Sequence, residues 1–250
     1  MIAAWRCHVQ LPSTHSRPRL PLSPQGLAAS AIYSNNETMT LSGRTFLARH
    51  GETVFNAAAR MQGTGQVHTP LTRRGFAQAD EMGSALANWL GTNQTLQLWS
   101  SSAGRALQTL AVIAEHIGGD WHHANVDARL QEIDVGSWSG RTYEEIGLET
   151  PDFLDRDAGL FRATGAGGES YGDVAARLTS WIAEAAAQRG DRLVVMHGMS
   201  SRVLRGIMLD LPVDPRWGAP VADSLPQGTM VMIGGGTEKI IAQGAGVHHA

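Results

Sequence analysis

The chain is 250 residues long, 42% hydrophobic and 17% charged, a balance that suits one large folded domain and argues against disorder as the default. No segment approaches the roughly 20 consecutive apolar residues of a membrane span, and a net charge of -3 with no block of like charge excludes a basic nucleic-acid footprint or a polybasic lipid anchor. The single cysteine, Cys7, can close no internal disulfide and offers no Cys-rich zinc site, which fits a reducing compartment and makes the cytoplasm the expected location.

Residues 1–38 stand apart. Up to Asn36 they contain no acidic residue, and Arg6, Arg17 and Arg19 lie among Pro12, Pro18, Pro21 and Pro24. No helical period survives those prolines, so a disordered leader, or a working start at Met39, is expected; import into an organelle through 1–38 is the alternative. The folded domain is expected over 39–245, with a flexible tail over 246–250 that holds His248 and His249.

From Arg44 onward, short apolar runs alternate with helical patterns. Thr45–Ala48 reads as a buried strand. Thr72 caps a helix whose stripe runs through Phe76, Ala79, Met82, Leu86 and Leu90, and Leu96–Trp99 is the next strand. Arg105–Ile117 is helical and stops at Gly118-Gly119. A strand near Ala124–Val126 precedes a loop-rich middle, Leu130 to Ser170, with short helices expected at Tyr143–Ile146 and Asp152–Phe161. The helix Tyr171–Gln188 carries Val174, Leu178, Trp181, Ile182 and Ala185 on one face, and Leu193–Met196 is the clearest buried strand. A helix over Ser200–Leu209 and strands at Thr229–Ile233 and Lys239–Ala242 complete the chain. Strands separated by helices of this length imply an α/β fold with a mostly parallel sheet covered on both faces.

In such a sheet, ligands bind where loops leave the carboxyl ends of the strands. Three polar clusters fall there: Arg49-His50-Gly51-Glu52-Thr53, Ser100-Ser101 with Arg105, and His197-Gly198. Of the 20 basic residues only Lys239 is lysine, so a lone arginine means little by itself. Two histidines and two arginines at one sheet edge mean more, because their mutual repulsion calls for an anion. Phosphate is the anion that arginine forks, helix amino termini and backbone amides suit best.

Leu47-Ala48-Arg49-His50-Gly51-Glu52-Thr53 with Asn56 resembles the signature of the histidine phosphatase superfamily, which also holds the cofactor-dependent phosphoglycerate mutases. Further motifs follow in the family's order: Pro70-Leu71-Thr72 with Gly75 and Gln78-Ala79, then Ser100-Ser101 with Arg105-Ala106 and Gln108-Thr109. After them come Leu130-Gln131-Glu132 with Gly136, Trp138 and Gly140, then Gly167-Gly168-Glu169-Ser170, and lastly Val194-Val195-Met196-His197-Gly198 with Arg202. The resemblance covers about Arg44 to Leu209. It implies a phosphoglycerate mutase-like, three-layer α/β/α sandwich. The sequence departs from the family's spacing between Gln62-Gly63 and Pro70, and it carries Met199 where a second glycine is usual.

Imidazole is a nucleophile at neutral pH without a metal, so His50 can attack phosphorus and divide one displacement into two through a phosphohistidine. Arg49, Arg105 and His197 would clamp the phosphoryl oxygens, with Asn56 nearby. The resemblance adds Gln62 and Gly198 to the substrate-binding set and places Glu132 as the group that protonates the leaving oxygen and then activates water, with Asp134 as a neighbouring carboxylate. No cofactor and no metal are called for: His122 and His123, adjacent on a strand, would face opposite ways and suit solvated surface. Trp138, Trp181 and Trp217 could line an apolar pocket, although Trp181 reads as core. The expected activity is a metal-independent phosphomonoesterase acting on a small phosphorylated metabolite. A phosphoglycerate mutase is the alternative, disfavoured by the short distance from Glu132 to Glu169, and an inactive phosphoester-binding protein is a second. Quaternary state stays open, a homodimer being allowed.

Overall fold

The computed structural model describes residues 41–91 and 95–245, all of them within the second of the chain's two units, Glu37–Ala250. The leader at 1–38, the start at Met39 and the tail at 246–250 with His248 and His249 lie outside the described residues. In chain order the elements are β1 (Thr45–Arg49), α1 (Val54–Ala57), α2 (Arg73–Leu90), β2 (Gln97–Ser101), α3 (Gly104–Ile117), β3 (Asn125–Asp127), α4 (Tyr143–Glu149), β4 (Leu154–Asp155), β5 (Leu160–Phe161), α5 (Tyr171–Ala185), β6 (Arg192–Met196), α6 (Gly198–Met208), β7 (Met230–Gly234) and β8 (Thr237–Ala242).

Six of the strands form one sheet in the order β3-β2-β6-β1-β7-β8. The first four are parallel to one another, β7 runs antiparallel to β1, and β8 antiparallel to β7. Alternation along each strand then builds the layers. Phe46 and Ala48 of β1, with Leu193 and Val195 of β6, pack against Met82 and Leu86 of α2 and Leu110 and Ile113 of α3. Leu47, Val194 and Met196 face the other way, onto Val174, Leu178 and Trp181 of α5 and Val203 and Leu204 of α6. The sheet is thus covered on both faces, as the alternating pattern implies.

The helix ends obey local chemistry. Thr72 accepts the Gly75 amide at the start of α2, Ser170 and Asp173 form a capping box on α5, and Gly118 closes α3 at a φ of +62°. Among the described residues no helix is long and apolar enough to cross a membrane.

Two expectations fail. The helix expected at Asp152–Phe161 is instead the β4–β5 hairpin: Asp155 turns its carboxylate onto the Ala158 amide, and Gly159 at a φ of +60° sends the chain back, so the local hydrogen bond displaces a helical one. Phe76 lies 43% exposed rather than on the buried stripe. Gly75 sets the face of α2 that meets the 51–52 segment, and the next residue is thereby turned outward.

Candidate active site

Because β2, β6 and β1 are neighbours, the three polar clusters leave the sheet side by side at its carboxyl edge. Arg49, His50, Asn56, Gln62, Arg105, Glu132 and Gly198 line one cleft, with an empty volume of about 600 Å³ including its open mouth. Those residues come from five separated stretches of chain, and no helix or strand alone would bring them together.

His50 continues β1, its amide bonded to the Met196 carbonyl at 3.0 Å. Its Nδ1 lies 2.7 Å from the Gly51 carbonyl oxygen. A carbonyl only accepts, so Nδ1 carries the hydrogen and Nε2 keeps its lone pair. Burial, then the Arg105 charge, hold this ring well below the usual histidine pKa, with the Gly51 bond pulling the other way and Arg49 adding to the depression. The imidazole is neutral at pH 7.

The guanidinium groups are held in place from behind. Arg49 gives one terminal nitrogen to the Leu225 carbonyl at 2.5 Å, while its Nε is buried without a partner among the described residues. Gly198 makes room for it: a Cβ there would lie 3.1 Å from the Arg49 guanidinium carbon. Arg105 binds the Gln66 carbonyl at 2.9 Å and His197 Nδ1 at 3.2 Å. Burial lowers both, Arg105 to about 10, with the Glu132 carboxylate opposing the shift in each case. Both remain cationic at pH 7, and the cost of enclosing them falls when an anion sits between them. Gln62 Oε1 is likewise buried and has no partner among the described residues. Asn56 spends its Oδ1 on the Thr53 capping box at the start of α1, which leaves its amide nitrogen for a ligand.

Glu132 is anchored at the amino end of α6: Met199 N reaches its Oε2 at 3.1 Å and Ser200 N its Oε1 at 2.9 Å. The segment that carries it is braced from the Gly-Glu-Ser motif. Glu169 accepts the Asp134 amide at 2.9 Å and pairs with Arg177, which holds the Glu132 carbonyl at 3.2 Å. Asp134 takes Thr64 Oγ1 at 2.6 Å and the Gly136 amide at 2.8 Å, so it braces a loop and does not line the cleft.

His197 departs from expectation. It is fully buried, stands edge-on to His50 with ring centroids 5.1 Å apart, and is not among the residues lining the cleft. Its nitrogens face Arg105 and Ser101, so it supports the clamp from behind rather than forming part of its wall. Trp138, Trp181 and Trp217 do not line the cleft either; they pack edge-on against Phe153, Trp99 and Tyr171. His122 and His123 are exposed, in a short 3-10 turn rather than on a strand.

The cleft also contains Met199, which stands where a second glycine is usual, and residues that local pattern did not single out: Arg60, Tyr143, Phe161 and Ser224. Arg60 is tied to Gly140 O at 2.8 Å and bridges to Thr142, a pairing of distant loops with no sequence period. The Tyr143 phenol is pushed up to about 12, chiefly by burial, and so is a neutral donor at neutral pH. Arg202 lines the cleft but spends its guanidinium on the Ala222, Gly159 and Ala158 carbonyls, tying α6 to the β4–β5 hairpin.

The sequence model of the histidine phosphatase superfamily (branch 1) matches residues 45–235. The chain belongs to that superfamily. The glucosyl-3-phosphoglycerate phosphatase of Mycolicibacterium vanbaalenii is 34% identical over 203 residues, covering 78% of this chain and 85% of the relative. A probable phosphoglycerate mutase of Citrobacter koseri is 33% identical over 175 residues, covering 68% and 76%. The solved structure of mycobacterial glucosyl-3-phosphoglycerate phosphatase with VO3 superposes with a TM-score of 0.64 at 30% identity, covering 81% of this chain and 98% of that one. This histidine phosphatase is a phosphoric monoester hydrolase with the mostly parallel sheet of its relatives.

Proposed function

We propose that this histidine phosphatase hydrolyses a small phosphate monoester through a phosphohistidine on His50. The observation that carries the reading is the His50–Gly51 hydrogen bond, which leaves Nε2 with a lone pair in a cleft walled by Arg49 and Arg105. Nε2 forms the N–P bond as the ester P–O bond breaks, and the leaving alkoxide takes a proton from Glu132. The Glu132 carboxylate then accepts a proton from water as that oxygen attacks phosphorus. The N–P bond breaks, inorganic phosphate leaves, and the starting protonation returns. Arg49 and Arg105 neutralise the charge that spreads over the equatorial oxygens.

The charges of the cleft favour an acidic ester. Arg49, Arg60, Arg105 and Arg202 line it against one acidic side chain, Glu132, so a phosphate dianion leaves positive charge over. A carboxylate on the alcohol portion, as in the phosphoglycerates named for the relatives, matches the surplus, with Arg60 at the rim to receive it.

The test is to follow phosphate release from a panel of sugar phosphates, phosphoglycerates and aryl phosphates, with His50→Ala alongside. A rapid quench of wild type should trap phosphate that is stable to alkali and labile to acid, as a phosphoramidate is. Full activity in His50→Ala would overturn the assignment. The relative named as a mutase supplies a second reading, and conversion of 3-phosphoglycerate to its isomer without phosphate release would favour it.

A further inference from the structure

Besides its arginines, the cleft has an apolar wall made by Met61, Ile133, Val135, Phe161 and Met199. Met199 is the member of that wall whose backbone and side chain have separate tasks. Its amide donates to Glu132 Oε2 at 3.1 Å, a bond that any residue with a backbone N–H could make there. Its side chain is 5% exposed and stands where a second glycine is usual, so it occupies space in the cleft that a glycine leaves open.

The thioether is held from behind. Tyr171, the first residue of α5, accepts the Phe161 amide at its phenol oxygen over 2.9 Å. The phenol hydrogen is turned onto Met199 Sδ, 3.7 Å away. Burial pushes the Tyr171 phenol up, so that hydrogen stays in place at neutral pH, and the ring is itself fixed edge-on to Trp217 with centroids 5.8 Å apart. Methionine is ordinarily an adaptable side chain; here a buried partner holds it as part of the wall.

We propose that Met199 is a specificity-determining residue of this phosphatase: its side chain closes the alcohol end of the cleft, admitting short, unbranched esters and turning away those whose alcohol is a ring. The proposal rests on the hydrolase reading, in which Glu132 meets the leaving oxygen. Because Met199 is bonded to Glu132, its side chain stands beside the alcohol portion, whereas the phosphoryl oxygens face Arg49 and Arg105. An alcohol that overlaps the thioether must either displace it together with Tyr171 or bind with its phosphorus short of His50. A packed wall yields poorly to added volume, so bulk is penalised while a three-carbon chain is not.

The experiment compares two primary alkyl phosphates, glycerol 3-phosphate and glucose 6-phosphate, whose leaving oxygens are alike and whose alcohols differ in bulk. Phosphate release from each is followed with the full-length wild type, Met199→Gly and Met199→Leu. Met199→Gly should raise kcat/KM on glucose 6-phosphate relative to glycerol 3-phosphate by about 10- to 100-fold, the scale on which a pocket senses methylenes. Met199→Leu, of similar volume, should keep the wild-type ratio. A partly unfolded preparation or a general loss at Glu132 cancels in the ratio, since both esters meet the same enzyme, and if the glycine variant does not fold, Met199→Ala carries the same expectation. An unchanged ratio in the glycine or alanine variant would overturn the proposal, and so would a leucine variant that shifts as far as glycine. The same selectivity is read without turnover from the Kd of each ester for His50→Ala with and without Met199→Gly. Absence of phosphate release by wild type from both esters and from p-nitrophenyl phosphate would count against the hydrolase reading alone, and the Kd ratio would then decide for or against Met199.

Discussion

Gly51 and Gly75 lie against each other: a Cβ on Gly51 would sit 2.2 Å from the Gly75 carbonyl oxygen, and a Cβ on Gly75 would sit 2.0 Å from the Glu52 carbonyl oxygen. Neither glycine has a positive φ, so the requirement is contact and not backbone conformation. Both obstacles are main chain, which cannot swing aside as a side chain does. Gly75→Ala should therefore displace the loop that carries His50, lowering stability by about 1–3 kcal/mol and Tm by about 2–12 °C, with loss of activity although Gly75 does not line the cleft. Thermal melts and kinetics together check this. Wild-type Tm and rate in the Gly75→Ala enzyme would show that the segments yield.

Acid should destabilise the fold through the site. His50 and His197 both titrate below the usual histidine value, chiefly because they are buried, so below about pH 6.5 the unfolded chain binds protons that the folded chain does not. The stability is fully present above that pH and is lost progressively as pH falls toward the folded values. Tm measured from pH 8 to pH 5 should fall on the acid side, and less steeply in His197→Gln, which has one fewer imidazole to protonate. The same slope in the variant would assign the loss to other groups.

Glu132 should matter in proportion to how badly the leaving oxygen needs a proton. In single-turnover measurements of the first step, Glu132→Gln should lose roughly 10²- to 10⁴-fold on an alkyl phosphate and much less on an activated aryl phosphate. Single turnover is needed because the same carboxylate activates water in the second step. Equal losses on both esters would count against Glu132 as the acid. Asp134 is a poor substitute, since its carboxylate is engaged by Thr64 and Gly136.

Arg60 should discriminate between esters that differ in a single group. Glycerol 3-phosphate and 3-phosphoglycerate share a skeleton and differ by a carboxylate. Arg60→Gln should reduce kcat/KM on 3-phosphoglycerate by about 10-fold, the scale of one charge-assisted hydrogen-bonded pair, and leave the ester without the carboxylate little changed. Parallel losses on both would place Arg60 in the loop structure that ties it to Gly140 and Thr142.

The sheet edge that holds His50, Arg105 and His197 is legible because each follows a short apolar run, and period and position together put them at one end of the sheet. Arg49 and Gly198 belong to the same strand-end clusters, whereas Asn56, Gln62 and Glu132 are reached through motif resemblance, and all five line the cleft. The direction of the His197 ring is not legible, since a strand end fixes where a residue stands but not which way its side chain turns. Arg60 and Tyr143 join the cleft through the pairing of residue 60 with residue 142, which leaves no local signal. The β4–β5 hairpin is read as a helix because nothing local announces the pairing of its two short strands, in which Phe153 and Phe161 meet across the hairpin with ring centroids 6.4 Å apart.

The position of β6 has a consequence for synthesis. It lies between β2 and β1 at the centre of the sheet, yet it is the last of the four parallel strands to leave the ribosome. Until it emerges, β1 has no sheet partner, because its neighbours β6 and β7 both lie beyond residue 191. A nascent chain can join β2 to β3, but it must carry β1, with His50 at its end, unpaired through some 140 further residues of elongation at about 5–20 residues per second. Closure of the sheet and creation of the cleft are therefore one late event, and a chain cut short before Arg192 holds neither.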